Sequence, residues 1–148
     1  MEVKIKKLNK DAVIPSYAHD TDAGLDIVAT SYEYKEDIKC HVYGTGLAFE
    51  IPKGYVGLIF PRSSNRKTES YLTNHVGVID SGYRGEVMFS FKTRDFKDDE
   101  LQVLNRPYEI GDRVGQLIIM PYPKIEFVEV DELSDSDRGT TGHGDSGR

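Results

Sequence analysis

GVIDSGYRGEV, Gly77 to Val87, sets an acid, an aromatic ring and three glycines between two apolar pieces of strand length. Val76, Val78 and Ile79 read as a short strand, Asp80-Ser81-Gly82 as a turn and Val87 to Phe91 as the returning strand. The stretch therefore predicts a β-hairpin with Asp80 and Tyr83 at its bend. A tip of this kind offers backbone donors and acceptors to a flat polar ligand, with the tyrosine as a wall and the carboxylate as a base. Taken alone, the segment reads better as an ordinary solvated turn than as a site.

Outward from this stretch, short alternating or apolar runs recur at the spacing of a β-sandwich or barrel. They are Val3 to Ile5, Leu25 to Ala29, Ile38 to Val42, Leu47 to Ile51, Val56 to Phe60, Val87 to Phe91, Leu101 to Leu104, Val114 to Met120 and Ile125 to Val130. Breakers separate them, among them Pro52-Lys53-Gly54, Arg106-Pro107, Gly111-Asp112 and Pro121-Tyr122-Pro123. Helical periodicity is nowhere sustained, and no repeat of solenoid length is visible. At most one short helix is expected, around Ser63 to Ser70, begun by Pro61 and the serines and lacking an apolar stripe.

The composition agrees with an all-β chain. The 148 residues make one domain large enough for its own core. Glycine is frequent (14), tyrosine outnumbers phenylalanine (9 to 6) and only 38% of residues are apolar, which suits turn-rich β structure and leaves room for burial between subunits. A formal charge of −6 argues against nucleic acid or an anionic membrane as partner, so any phosphate ligand must be met by local cations. The single cysteine, Cys40, excludes an internal disulfide, fits a reducing compartment and is expected in a strand rather than as a nucleophile. The amino terminus, MEVKIKKLNK, has no apolar core for a signal peptide, and no run is long enough to cross a bilayer; a cytoplasmic, soluble protein is expected. From Ser134 to Arg148 glycine, aspartate and small hydroxyls leave almost nothing to pack. That composition predicts a flexible arm beyond a β domain of residues 1–133, either a frayed tail or a lid over a ligand.

Four more segments mix glycine, acid, arginine and hydroxyls: DAGLDIVA (Asp22 to Ala29), PRSSNRK (Pro61 to Lys67), GDRVGQLII (Gly111 to Ile119) and RGTTGHGDSG (Arg138 to Gly147). Arg62 followed by two serines at a helix start is a candidate phosphate cradle. Gln116, inside an otherwise apolar strand, must find hydrogen-bond partners in the protein or in a ligand.

The order AGLD, PRSS, GVIDSGYRG, GDR-x-x-Q-L and RG-x-x-G-x-G-x-SG resembles the trimeric deoxyuridine triphosphatase family, motif by motif, from Ala23 to Gly147. The resemblance implies a jelly-roll β-sandwich subunit in a homotrimer with three active sites, each shared by three subunits, and an arm that reaches over a neighbour's site. It implies hydrolysis of dUTP to dUMP and pyrophosphate with Mg²⁺. Asp80 matches the aspartate that orients and activates water for attack at the α-phosphorus. A carboxylate is a weak base, so positioning and charge neutralisation must supply most of the rate. Tyr83 matches the ring that packs on the deoxyribose and excludes a 2′-hydroxyl. Asn74, Gly77, Val78 and Ile79 match the uracil-reading hairpin, with Met88 also in the base- and sugar-contacting set. Cytosine would leave buried polar groups there unpaired, at about 1–3 kcal/mol each. Arg62, Ser63 and Ser64 match the phosphate-binding motif, and Gln116 the glutamine at the α-phosphate. Arg138, Gly142 and Ser146 match the arm residues on the terminal phosphates. Asp26 matches the aspartate that acts on Mg²⁺ through its water shell, as that ion favours.

His143 stands where the family's arm usually carries a phenylalanine that stacks on the uracil; an imidazole stacks with less area and can charge near neutral pH. Thr141 replaces a glycine, Asp145 adds negative charge near the terminal phosphate, and Ser64 replaces a common glycine. A dCTP deaminase shares this fold but needs a glutamate where Ser90 stands. A dUTP-responsive regulatory binding protein is the other alternative.

Overall fold

A computed structural model describes residues 1–93 and 105–142. Among them run β1 (Lys4–Lys7), β2 (Leu25–Val28), β3 (Ser31–Lys35), β4 (Cys40–Gly44), β5 (Leu47–Glu50), β6 (Tyr55–Phe60), β7 (Ser70–Leu72), β8 (Gly77–Ile79), β9 (Met88–Thr93) and β10 (Arg113–Pro121). The helical content of the described residues is one 3-10 turn, Ser63–Lys67, within the expected span. Two four-stranded sheets, β2-β10-β6-β8 and β3-β4-β9-β7, and a two-stranded pair, β1-β5, are antiparallel throughout. The fold is the all-β, jelly-roll-like sandwich expected from the sequence.

Both four-stranded sheets feed one core. Ile27, Ile59, Val114 and Leu117 from the first meet Tyr43, Leu72, Phe89 and Phe91 from the second. Alternation sets the inward side: Gly57 and Ile59 on β6, and Phe89 and Phe91 on β9, are buried while their neighbours are not. At Gly115 the sheets come so close that a Cβ would lie 2.0 Å from the Phe89 ring, so only glycine fits. Cys40 is buried at the start of β4.

Two expectations need correction. The arms of the predicted hairpin do not pair with each other: β8 pairs with β6 in one sheet, and β9 with β4 and β7 in the other. The link between them crosses from sheet to sheet, and at its last residue, just before β9, the Val87 N–H donates to the Leu47 carbonyl of β5 at 2.9 Å. Ile125 to Val130 forms no strand. Among the described residues it pairs with no strand edge, and Ile125, Phe127, Val128 and Val130 are all exposed. Conversely, β3 and β7 were not expected. Leu101 to Leu104 lies outside the described residues. Exposed chain without strands runs from Tyr122 to Gly142, the last described residue.

Candidate active site

The first sheet and the turns that leave its β6 and β8 strands carry most of the sequence-predicted site residues, at two separate places. At one end of β2 and β10, register sets Gln116 opposite Asp26 on one side and opposite Phe60 on the other. Two residues beyond Phe60, Arg62 folds back over Asp26: its Nε donates to Oδ1 at 2.7 Å and its Nη2 to Oδ2 at 3.4 Å. Arg113 adds a third bond, Nη1 to Asp26 Oδ2 at 3.2 Å. The Asp26 side chain is only 17% exposed, so these charge-assisted bonds are partly shielded from solvent. Two guanidiniums against one carboxylate leave a local positive charge on an acidic protein, which suits an anionic ligand. Gln116 satisfies its amide by donating from Nε2 to the Pro61 carbonyl at 3.1 Å. Its side chain lies where a Cβ on Gly24 would be, 2.5 Å from Oε1, so glycine in the AGLD segment makes room for it. Ser63 is exposed and Ser64 half-buried at the start of the 3-10 turn.

The second place is the turn after β8. Asp80 is exposed and accepts the Tyr83 N–H on its backbone carbonyl at 3.0 Å. The Tyr83 hydroxyl donates to the Glu86 carbonyl at 3.0 Å, and the ring closes over Gly85, where a Cβ would lie 2.4 Å from the phenolic oxygen. Arg84 laces the same turn, Nη1 donating to the Ser81 and Tyr83 carbonyls at 2.7 and 2.8 Å. Glu86 Oε1 accepts the Gly46 N–H at 2.7 Å and ties the turn to the body of the fold. Tyr83 keeps 43% of its surface open, so it presents a held but uncovered ring. Gly77 is buried against Ile59, with room for no Cβ; Val78, Asn74 and Met88 are exposed and Ile79 is half-buried.

The two places do not meet within one chain. Ile79 pairs with Gly57 and Gly57 with Ile119, so Asp80 lies four residue steps along the strands from the Gln116 row. That is about 13 Å along the strands, with two strand spacings, roughly 10 Å, across. Arg138 is not brought to either place: Nε and Nη2 donate to the Thr141 and Gly142 carbonyls of its own exposed turn. His143, Asp145 and Ser146 lie outside the described residues. Ser90, on β9 opposite Val42, gives no carboxylate at the position a deaminase needs.

No group of three or more histidine, cysteine or acidic side chains that could hold a metal occurs among the described residues. Nor, among them, is any helix long and apolar enough to cross a membrane. Arg113, Arg84, Glu86 and Asn65 also belong to these places, and none of them carries a role among the sequence-based expectations. Asn65 joins through Tyr108, whose hydroxyl donates to Asn65 Oδ1 at 3.0 Å. Burial pushes that hydroxyl's pKa up, opposed by the Arg62 charge nearby.

The dUTPase family model matches residues 10–147. The deoxyuridine 5′-triphosphate nucleotidohydrolase of Leifsonia xyli is 39% identical over 90% of this chain and 85% of its own. That of Nautilia profundicola is 38% identical over the whole of both chains. Among solved structures, the dUTPase of Staphylococcus bacteriophage 80alpha with dUpNHpp has a TM-score of 0.77 at 30% identity, covering 99% of each chain. A dUTPase variant from phage phi11 of S. aureus, described with a structural Mg(II) ion, has a TM-score of 0.68 at 27% identity over 89% of this chain and 98% of its own.

Proposed function

The chain belongs to the dUTPase family and is a dUTP diphosphatase; on that premise we propose that water attacks the α-phosphorus of dUTP in line, at sites shared between copies of a homotrimer. The observation that carries the shared site is the separation of the Asp80–Tyr83 turn from the Asp26–Arg62–Arg113 cluster within one chain. The cluster has the chemistry for a polyphosphate and the turn has the chemistry for a nucleoside and a water, but a single nucleotide cannot use both from one subunit. A neighbouring subunit's turn, brought beside the cluster, removes the gap.

In this reading Arg62, with Ser63, Ser64 and Gln116, receives the phosphates as charge-assisted donors. Asp80 orients the attacking water and takes up its proton as the bond to the α-phosphorus forms and pyrophosphate leaves. Tyr83 offers its open face to the deoxyribose, where a 2′-hydroxyl would collide with the ring. Asn74 and the backbone of Gly77 to Ile79 read uracil, with Met88 beside the base and sugar. Arg138, Gly142, His143 and Ser146 close over the nucleotide from the arm at 134–148. Mg²⁺ fits the donor set only as an ion carried by the triphosphate: Asp26, its carboxylate oxygens already holding two guanidiniums, is suited to contact it through water. When bound, the ion neutralises phosphate charge.

Pyrophosphate release measured with dUTP, dTTP, dCTP and UTP, with and without Mg²⁺, tests this reading. Release from dUTP alone, dependent on Mg²⁺ and lost in Asp80→Ala with analogue binding retained, is expected. Equal rates on all four nucleotides would sink the base and sugar assignments, and an Asp80→Ala enzyme as fast as the parent would remove Asp80 from the chemistry.

A further inference from the structure

Residues three apart on a regular strand point to opposite faces, and Arg113 and Gln116 are three apart on β10. The strand is not regular there. Arg113 pairs with Val28 and Gly115 with Ile27, so two steps on β10 match a single step on β2. Val114 is the extra residue of a β-bulge. It is fully buried and followed by buried Gly115, so two consecutive positions enter the core. The alternation is thereby shifted by one, and Arg113, opposite Val28, comes onto the face that carries Asp26 and Gln116. The 3.2 Å bond from Arg113 Nη1 to Asp26 Oδ2 is the result. The bulge has no freedom to slide, since Val114 fills the core and Gly115 sits against the Phe89 ring.

We propose that Arg113 is a positioning residue that aims Arg62 at the triphosphate by sharing Asp26 with it. Arg62 has one short bond to Asp26, at 2.7 Å, and one long one, at 3.4 Å, both to a carboxylate that can rotate. Arg113 pins the oxygen on the long side and so fixes the carboxylate plane that the Arg62 guanidinium lies against. The inference rests on the assignment of Arg62 to phosphate binding.

The test compares the parent with Arg113→Ala, Arg62→Ala and the double variant. Arg113 is 55% exposed at its side chain, so its truncation leaves the core intact. Two affinities are measured for each protein: for an imido analogue of dUTP, and for deoxyuridine, which carries no phosphate. Arg113→Ala should weaken analogue binding and raise KM for dUTP about tenfold, the scale of one charge-assisted hydrogen bond, with deoxyuridine affinity unchanged. With Arg62 already gone there is nothing left to aim, so the double variant should lose far less than the product of the single losses. Losses that multiply would overturn the inference, because Arg113 would then act independently of Arg62. Equal weakening for analogue and deoxyuridine, or no change, would overturn it as well. A parent protein that releases no pyrophosphate from dUTP defeats the enzymatic reading instead, whereas an active parent with an indifferent Arg113→Ala defeats this inference alone.

Discussion

Tyr43 shows how one residue joins the core to the site. It is fully buried, and its hydroxyl both donates to the Tyr108 carbonyl at 2.9 Å and accepts the Tyr108 N–H at 3.1 Å. Burial pushes its pKa well above the ordinary 10.0, with the Tyr108 hydrogen bond only partly opposing the shift. Tyr32 and Tyr108 are raised for the same first reason. The folded state therefore keeps protons that the unfolded chain gives up from about pH 10. Stability from these groups is fully present below that pH and falls as pH rises above it. Urea midpoints should show a loss that starts near pH 10, and Tyr43→Phe should reduce that alkaline slope. The same substitution should cost about 1–3 kcal/mol at neutral pH, because the buried Tyr108 N–H and carbonyl lose their partner. A midpoint in the variant that falls as steeply as the parent's above pH 10 would show that Tyr43 is not the group responsible.

At the scale of elements, the 3-10 turn Ser63–Lys67 has no buried residue, so side-chain bonds rather than packing hold it. Asn65 supplies them: Nδ2 donates to the Ser70 carbonyl at 2.8 Å, and Oδ1 accepts from the Tyr108 hydroxyl. Asn65→Ala should free the turn and with it Arg62. Hydrogen exchange at the 62–70 amides should quicken while β4, β9 and β10 stay protected, and KM for dUTP should rise several-fold, the scale of one or two lost hydrogen bonds. Unaltered exchange over 62–70 would mean that the turn is held by something else. Asn65 stood out in the sequence only as a member of PRSSNRK, because Tyr108, its partner across the fold, is far away along the chain. Strands with a continuous apolar run, such as β6, or with apolar alternation, such as β9, were legible; β3 was not, since Tyr32 and Tyr34 alternate with serine, glutamate and lysine and look like a charged loop. β7, three residues long, is too short to show a period. The hairpin prediction failed because pattern reveals that two runs are strands but not which sheet each one joins. Arg113 was hidden for a related reason: its spacing from Gln116 implies opposite faces unless a bulge intervenes, and a bulge leaves no mark in the sequence.

For the whole molecule, the described chain is unfinished as a separate body. After β10 come Ile125, Phe127, Val128, Val130 and Leu133, all exposed, the last 89% and Phe127 92% so. Apolar side chains in such a row are stable in water only at a cost of about 1.5–3 kcal/mol for each large one left unburied, which another copy's surface would offset. The proposed division of the site makes the same demand from chemistry, since in that reading the Asp80–Tyr83 turn and the Asp26–Arg62 cluster take partners from outside their own chain. A shared site has a consequence that a site within one chain lacks. Two chains, one carrying Asp80→Ala and the other Arg62→Ala, should each be nearly inactive alone. Co-expressed or refolded together, they form mixed assemblies in which some sites take Asp80 from one chain and Arg62 from the other. With random mixing about a quarter of sites receive both intact residues, so pyrophosphate release from dUTP should return to about a quarter of the parent rate. If Asp80 and Arg62 of each working site came from one chain, no site in the mixture would be whole, and its activity would stay at the average of the two inactive parents.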